Sequence, residues 1–92
     1  MIKFTELLER AKTKQIAIHT PMEEQAITVL SELDKKRYVW ISGRKLTATT
    51  CYEYHEENTC YNFEPNNKIM YSLFDWYQDE GYTIIEFADI EF

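Results

Sequence analysis

The run from Gln15 to Ser42, QIAIHTPMEEQAITVLSELDKKRYVWIS, constrains the fold most, because it encodes a strand, a helix with a marked start and a second strand, joined by short links. Ile16 and Ile18 alternate as on one side of a strand. Thr20-Pro21-Met22-Glu23 then reads as a helix start. The Thr20 hydroxyl would accept a free amide N–H, Pro21 would occupy the first helical position, and Glu23 at the third would complete a capping box. Met22, Ala26, Val29, Leu30 and Leu33 make one apolar stripe on a helix reaching about Lys36. Tyr38 opens the strand YVWIS, and Gly43 turns the chain into RKLTATT.

The C-terminal third repeats this plan in shorter form: the strand KIMY, Ser72 as cap with Asp75 at the third helical position, a helix through Trp76 and Tyr77, Gly81 as its stop, and the strand YTIIEF. A further helix precedes both units, with Phe4, Leu7, Leu8 and Ala11 on one stripe. The expected fold is therefore α+β: a single small two-layer domain over residues 1–92, an N-terminal helix plus two strand–helix–strand units sharing one sheet, with helices mainly on one face. Residues 47–58 resist assignment. Their threonines favour extended chain, whereas YEYHEEN is compatible with a strand, a turn or a helical turn.

A net charge of −6 conceals an asymmetry. Residues 1–46 hold nine Lys and Arg against six Asp and Glu, net +3, while residues 47–92 hold Lys68 against ten acids, net −9. That balance disfavours direct binding to nucleic acid. No apolar run approaches the roughly 20 residues a bilayer requires, so no membrane contact and a cytoplasmic location are expected. In such a compartment the two cysteines stay reduced.

The segment CYEYHEENTCYNFEP contains the residues most suggestive of chemistry. Cys51 and His55 stand four apart, Cys60 could return on the next strand, and Glu56, Glu57 or His19 could supply a fourth ligand, a set that zinc would accept. The spacing matches no usual paired-cysteine signature, so the expectation is core thiols, no metal and no cofactor. Cys51 with His55 or His19 could also form a nucleophilic pair. Nothing marks a third orienting group, and two glycines leave little freedom to build an oxyanion turn, so no catalytic residue and no enzyme are expected.

Two charged surfaces remain. Lys36, Arg37, Arg44 and Lys45, beside Lys35 and the hydroxyls of Thr47, Thr49 and Thr50, could hold a phosphate or signalling nucleotide; the plainer reading is a helix C-terminus carrying dipole-matching cations. The acids of the latter half alternate with tyrosines and phenylalanines. Glu53, Glu56, Glu57, Asp75, Asp79 and Glu80 would form the protein-binding surface, suited to a basic, nucleic-acid-binding partner; in the plainer reading the rings are core and the acids confer solubility. A third reading is a homodimer through an exposed Trp40 or the C-terminal strand.

TPMEEQAITVLSELDKKRYVWISGRKL, NTCYNFE and YQDEGYTIIEF together resemble the small, mostly uncharacterised accessory proteins of phages and prophages of Gram-positive bacteria, over roughly Gln15 to Phe92. Arg37 stands where that pattern has glycine, which argues against a left-handed helix end there. The resemblance implies phage provenance and a small α+β fold. Such proteins include anti-CRISPR inhibitors, some of them DNA mimics, so the resemblance also implies a non-enzymatic inhibitor of a host defence nuclease, working in the bacterial cytoplasm.

Overall fold

The computed structural model describes all 92 residues, Met1–Phe92. Strand β1 (Ile2–Lys3) leads directly into helix α1 (Phe4–Ala11), followed by β2 (Ile16–His19), α2 (Glu23–Lys35) and β3 (Val39–Trp40). Three 3-10 turns, Leu46–Ala48, Tyr52–Tyr54 and Glu56–Asn58, occupy the stretch whose conformation the sequence leaves open. The chain then forms β4 (Thr59–Glu64), β5 (Lys68–Leu73), α3 (Phe74–Asp79), β6 (Thr83–Glu86), a fourth turn (Phe87–Asp89) and β7 (Ile90–Glu91).

The fold is α+β, and both strand–helix–strand units contribute to one five-stranded sheet in the order β3-β5-β4-β2-β6. Within each unit the two strands are separated by two others, because the β4–β5 hairpin inserts between β2 and β3. β4 runs antiparallel to both β2 and β5, whereas β3 is parallel to β5 and β6 to β2. β1 and β7 pair separately, in parallel, joining the two ends of the chain.

Side-chain alternation assigns the faces. Ile16, Ile18, Tyr61 and Ile69 point to the side covered by α1 and α2, where Leu7, Leu8, Val29, Leu30 and Leu33 complete a core of 16 buried residues. Burying a leucine there contributes about 1.5–3 kcal/mol. Ala17 and Cys60 point the other way, and only the short α3 covers them, through Tyr77. Buried on that face, the Tyr77 hydroxyl donates to Asn62 Oδ1.

The helix starts differ from those expected. The N-cap of α2 is Met22, not Thr20, and the reciprocal partner is Gln25, whose Oε1 accepts the Met22 N–H at 3.1 Å. Thr20 is instead fully buried, its hydroxyl directed to the Thr59 carbonyl oxygen. Its place beside β4 outweighs its capping preference, and Met22, expected in the core, is half exposed. Ser72 likewise belongs to β5, opposite Cys60, and α3 begins after Leu73 without a side-chain cap.

The two helix ends are alike. The Tyr38 N–H donates to Leu33 O and the Arg37 N–H to Asp34 O; the Tyr82 N–H donates to Tyr77 O and the Gly81 N–H to Gln78 O. Both are closed by a left-handed residue, Arg37 at φ 67° and Gly81 at φ 82°. The arginine thus adopts the conformation that its side chain argued against, because the same two backbone hydrogen bonds redirect the chain into the next strand.

Candidate protein-binding surface

The six acids expected to recognise a partner fall on two elements. Glu53, Glu56 and Glu57 are exposed on the 3-10 turns before β4, and Asp75, Asp79 and Glu80 are exposed on α3 and at its end. Glu56 and Glu57 therefore sit on a tight turn, one of the conformations left open for that stretch, and Asp79 and Glu80 close the helix that the stop at Gly81 led us to expect.

His19 joins the two elements. Placed by β2 on the face that α3 covers, its ring meets Phe74, the first residue of α3, edge-on at 4.9 Å. Its Nδ1 lies 2.7 and 3.0 Å from the carboxylate oxygens of Glu86, and its Nε2 lies 2.7 Å from the Glu57 carbonyl oxygen. Both ring nitrogens thus face an oxygen, and the ring links the turn at Glu57 to β2, β6 and the start of α3. Composition alone offered no signal for this role, since His19 is an unremarkable end to a short strand.

Electrostatically, the latter half is uncompensated. The Lys and Arg ion pairs are Arg10–Glu6, Lys12–Glu9 and Lys35–Glu32, all within the first 46 residues. None of the ten acids in residues 47–92 has a lysine or arginine partner; Glu86 has only His19. Aromatic rings accompany the acids. Trp76 is 47% exposed between Asp75 and Asp79, braced edge-on by Tyr77 at 5.0 Å and tilted against Tyr82 at 6.0 Å. Tyr54, beside Glu53, is also exposed and stacks on Tyr71. An exposed indole on a helix that also carries Asp75 and Asp79 offers a large apolar contact, and tryptophan is enriched among the residues that dominate protein recognition.

Cys51, His55 and Cys60 do not gather. Cys51 has left-handed backbone at φ 57° and belongs to the main core, whereas Cys60 packs under α3 on the opposite face. No group of three or more His, Cys, Asp and Glu side chains is arranged to hold a metal ion. Both cysteines are free thiols. Burial raises the pKa of each, that of Cys60 to about 12, the opposite of what a nucleophile requires.

The basic cluster also divides. Lys36 lies with Lys12, Tyr38 and Asn67 beside α1, whereas Arg44 lines a separate depression with Trp40, Cys51 and Tyr71. Lys45 is bridged to Val39, and Arg37 is exposed at the end of α2. The turn at Gly43 brings Lys45 back opposite Val39, while the Arg44 side chain borders the depression beside Trp40 that Lys36 does not line. Trp40, expected on the surface as a dimer contact, is only 5% exposed, packed against Tyr61 and Tyr71. The C-terminal strand pairs with β1. No helix is long and apolar enough to cross a membrane.

Compared with protein-family models, curated proteins and solved structures, the chain has no match.

Proposed function

We propose that this protein is a non-enzymatic binding protein that inhibits a host protein through its acidic surface, and that its target is a basic, nucleic-acid-handling defence nuclease. The observation that supports this reading is the absence of any Lys or Arg partner for the ten acids of residues 47–92. Leaving carboxylates unpaired while cations are paired elsewhere concentrates negative potential on the latter half of the chain, where a groove built for phosphates would find matching charge. Trp76 supplies the apolar anchor and Tyr54 a second ring, and the resemblance to phage accessory proteins adds the biological setting, the cytoplasm of an infected or lysogenic cell.

The test is capture on immobilised protein from a Gram-positive bacterial lysate, followed by competition with double-stranded DNA. The expected result is a basic nucleic-acid-binding protein that DNA displaces. Reversing Glu56, Glu57, Asp79 and Glu80 to lysine is expected to abolish capture with the circular dichroism spectrum unchanged. Undiminished capture by that variant, or a captured protein indifferent to DNA, refutes the reading.

The alternative anion site formed by Lys36, Arg37, Arg44 and Lys45 has less support, because Lys36 and Arg44 line different depressions.

A further inference from the structure

A depression of about 300 Å³ lies where α1 meets the β4–β5 hairpin, and a second of about 290 Å³ shares Leu8, Lys12, Tyr38 and Asn67 with it. Together they form a trough unrelated to the acidic surface. Its apolar wall is Leu8 and Ala11 from α1 and the rings of Tyr38 and Phe63, which meet nearly at right angles at 6.0 Å, and polar residues, Lys12 and Asn66 among them, complete the lining. Volumes of this order accommodate a molecule of one or two rings.

Polar groups converge on these walls without partners of their own. Tyr38 is 9% exposed and lines both depressions, yet its hydroxyl makes no hydrogen bond within the protein. Burial raises its pKa, so it remains a proton donor at neutral pH. Asn67 is held in left-handed backbone at φ 57°, its carbonyl accepting the Val39 N–H at 3.1 Å, which leaves its side-chain amide free at the rim. Lys36 belongs to no ion pair.

Nearby carboxylates are engaged. Glu9 is taken by Lys12 at 3.1 Å. Glu64 also borders the larger depression, but it alternates with Phe63 along β4, and its carboxylate accepts from Asn62 Nδ2 at 2.6 Å on the other face of the sheet. The uncompensated charge at the trough is therefore the Lys36 ammonium.

We propose that this trough binds a small anion carrying a planar aromatic ring, the ring lying against Leu8, Tyr38 and Phe63 and the anionic group meeting Lys36, the Tyr38 hydroxyl and the Asn67 amide. The site is independent of the acidic surface and of any partner bound there.

The test is a titration followed by amide and side-chain NMR with three probes: phenyl phosphate, inorganic phosphate and phenol. Phenyl phosphate is expected to give saturable shifts centred on Leu8, Lys36, Tyr38 and Asn67, and to bind at least about tenfold more tightly than either fragment alone. Lys36→Gln and Tyr38→Phe, both compatible with the packing, are each expected to weaken it by about tenfold, the scale of one charge-assisted hydrogen bond. Lys35→Gln, one residue away but paired outward to Glu32, should leave it unchanged. Absence of saturable shifts, shifts centred elsewhere, inorganic phosphate binding as tightly as phenyl phosphate, or wild-type affinity in both trough variants would each overturn the proposal.

Discussion

The two strand–helix–strand units share a plan but carry unequal weight. In the first, α2 has 13 residues and buries Ala26, Val29, Leu30 and Leu33 in the main core. In the second, α3 has six residues and buries Tyr77 alone. The larger unit is held by apolar area, the smaller by one ring and the hydrogen bond from Tyr77 to Asn62. A short helix on a thin face leaves the rest of its surface exposed, and that is where Asp75, Trp76, Asp79 and Glu80 lie. The lightly packed half is thus the one that keeps its acids and its indole exposed.

The sharpest way to break this comparison is to truncate equivalent anchors. Leu30→Ala, in the main core, is expected to cost about 2–5 kcal/mol by chemical denaturation. Tyr77→Phe keeps the ring and removes only the donor to Asn62, so about 1–3 kcal/mol is expected, with the loss measured by hydrogen exchange concentrated in α3 and β6. Equal losses spread over the whole molecule would show that the two halves do not differ as described.

The helix ends offer a finer comparison, because the same hydrogen-bonded closure uses arginine once and glycine once. Gly81→Arg is expected to destabilise by about 1–2 kcal/mol through left-handed strain. Arg37→Gly is expected to stabilise, by about 0.5–1 kcal/mol, since relief of that strain is partly offset by the greater freedom of glycine in the unfolded chain. A destabilised Arg37→Gly would mean that the arginine side chain has a compensating role.

Raising the pH should act on both faces, since burial pushes up Tyr61 in the main core as it does Tyr77 under α3. Cys60 under α3 has its pKa raised from 9.0 to about 12 by burial, and Tyr77 is pushed up as well. Protonated in the folded protein and ionised in the unfolded chain, the Cys60 thiol contributes stability that is complete below pH 9 and lost as pH rises from there through 12. Cys60→Ala is expected to flatten that part of the stability profile. The smallest effect belongs to Thr59, whose buried hydroxyl oxygen has no partner: Thr59→Val should be neutral or stabilising by up to about 1 kcal/mol.

Much of this was legible in the residues themselves. The stripe of Phe4, Leu7, Leu8 and Ala11, the α2 stripe from Ala26 to Leu33 and the stop at Gly81 all follow from local periodicity and turn chemistry, while Tyr38 and Tyr82, expected to open the strands, stand just before β3 and β6. The caps did not, because Thr20 and Ser72 have a choice between capping a helix and pairing in a sheet, and burial beside β4 decides it. Nor did the turns of residues 47–58, where Cys51 and Glu56 take left-handed backbone that no glycine advertises. For the acidic surface, local sequence supplied the carboxylates but not His19, which approaches Glu57 and Glu86 only through strand pairing.

By itself the sequence determined the three helices and the strands of the two strand–helix–strand units and placed the negative charge in the latter half, since these depend on neighbours a few residues apart, whereas β1, β4, β7 and the turns before β4 were not marked by it. Tertiary structure alone decided the sheet order, the division of the cysteines and of the basic cluster between separate places, and the meeting of Lys36, Tyr38 and Asn67 in one trough. Each of these turns on the β4–β5 hairpin entering between β2 and β3, a pairing of residues distant in sequence, fixed by which faces can be buried together.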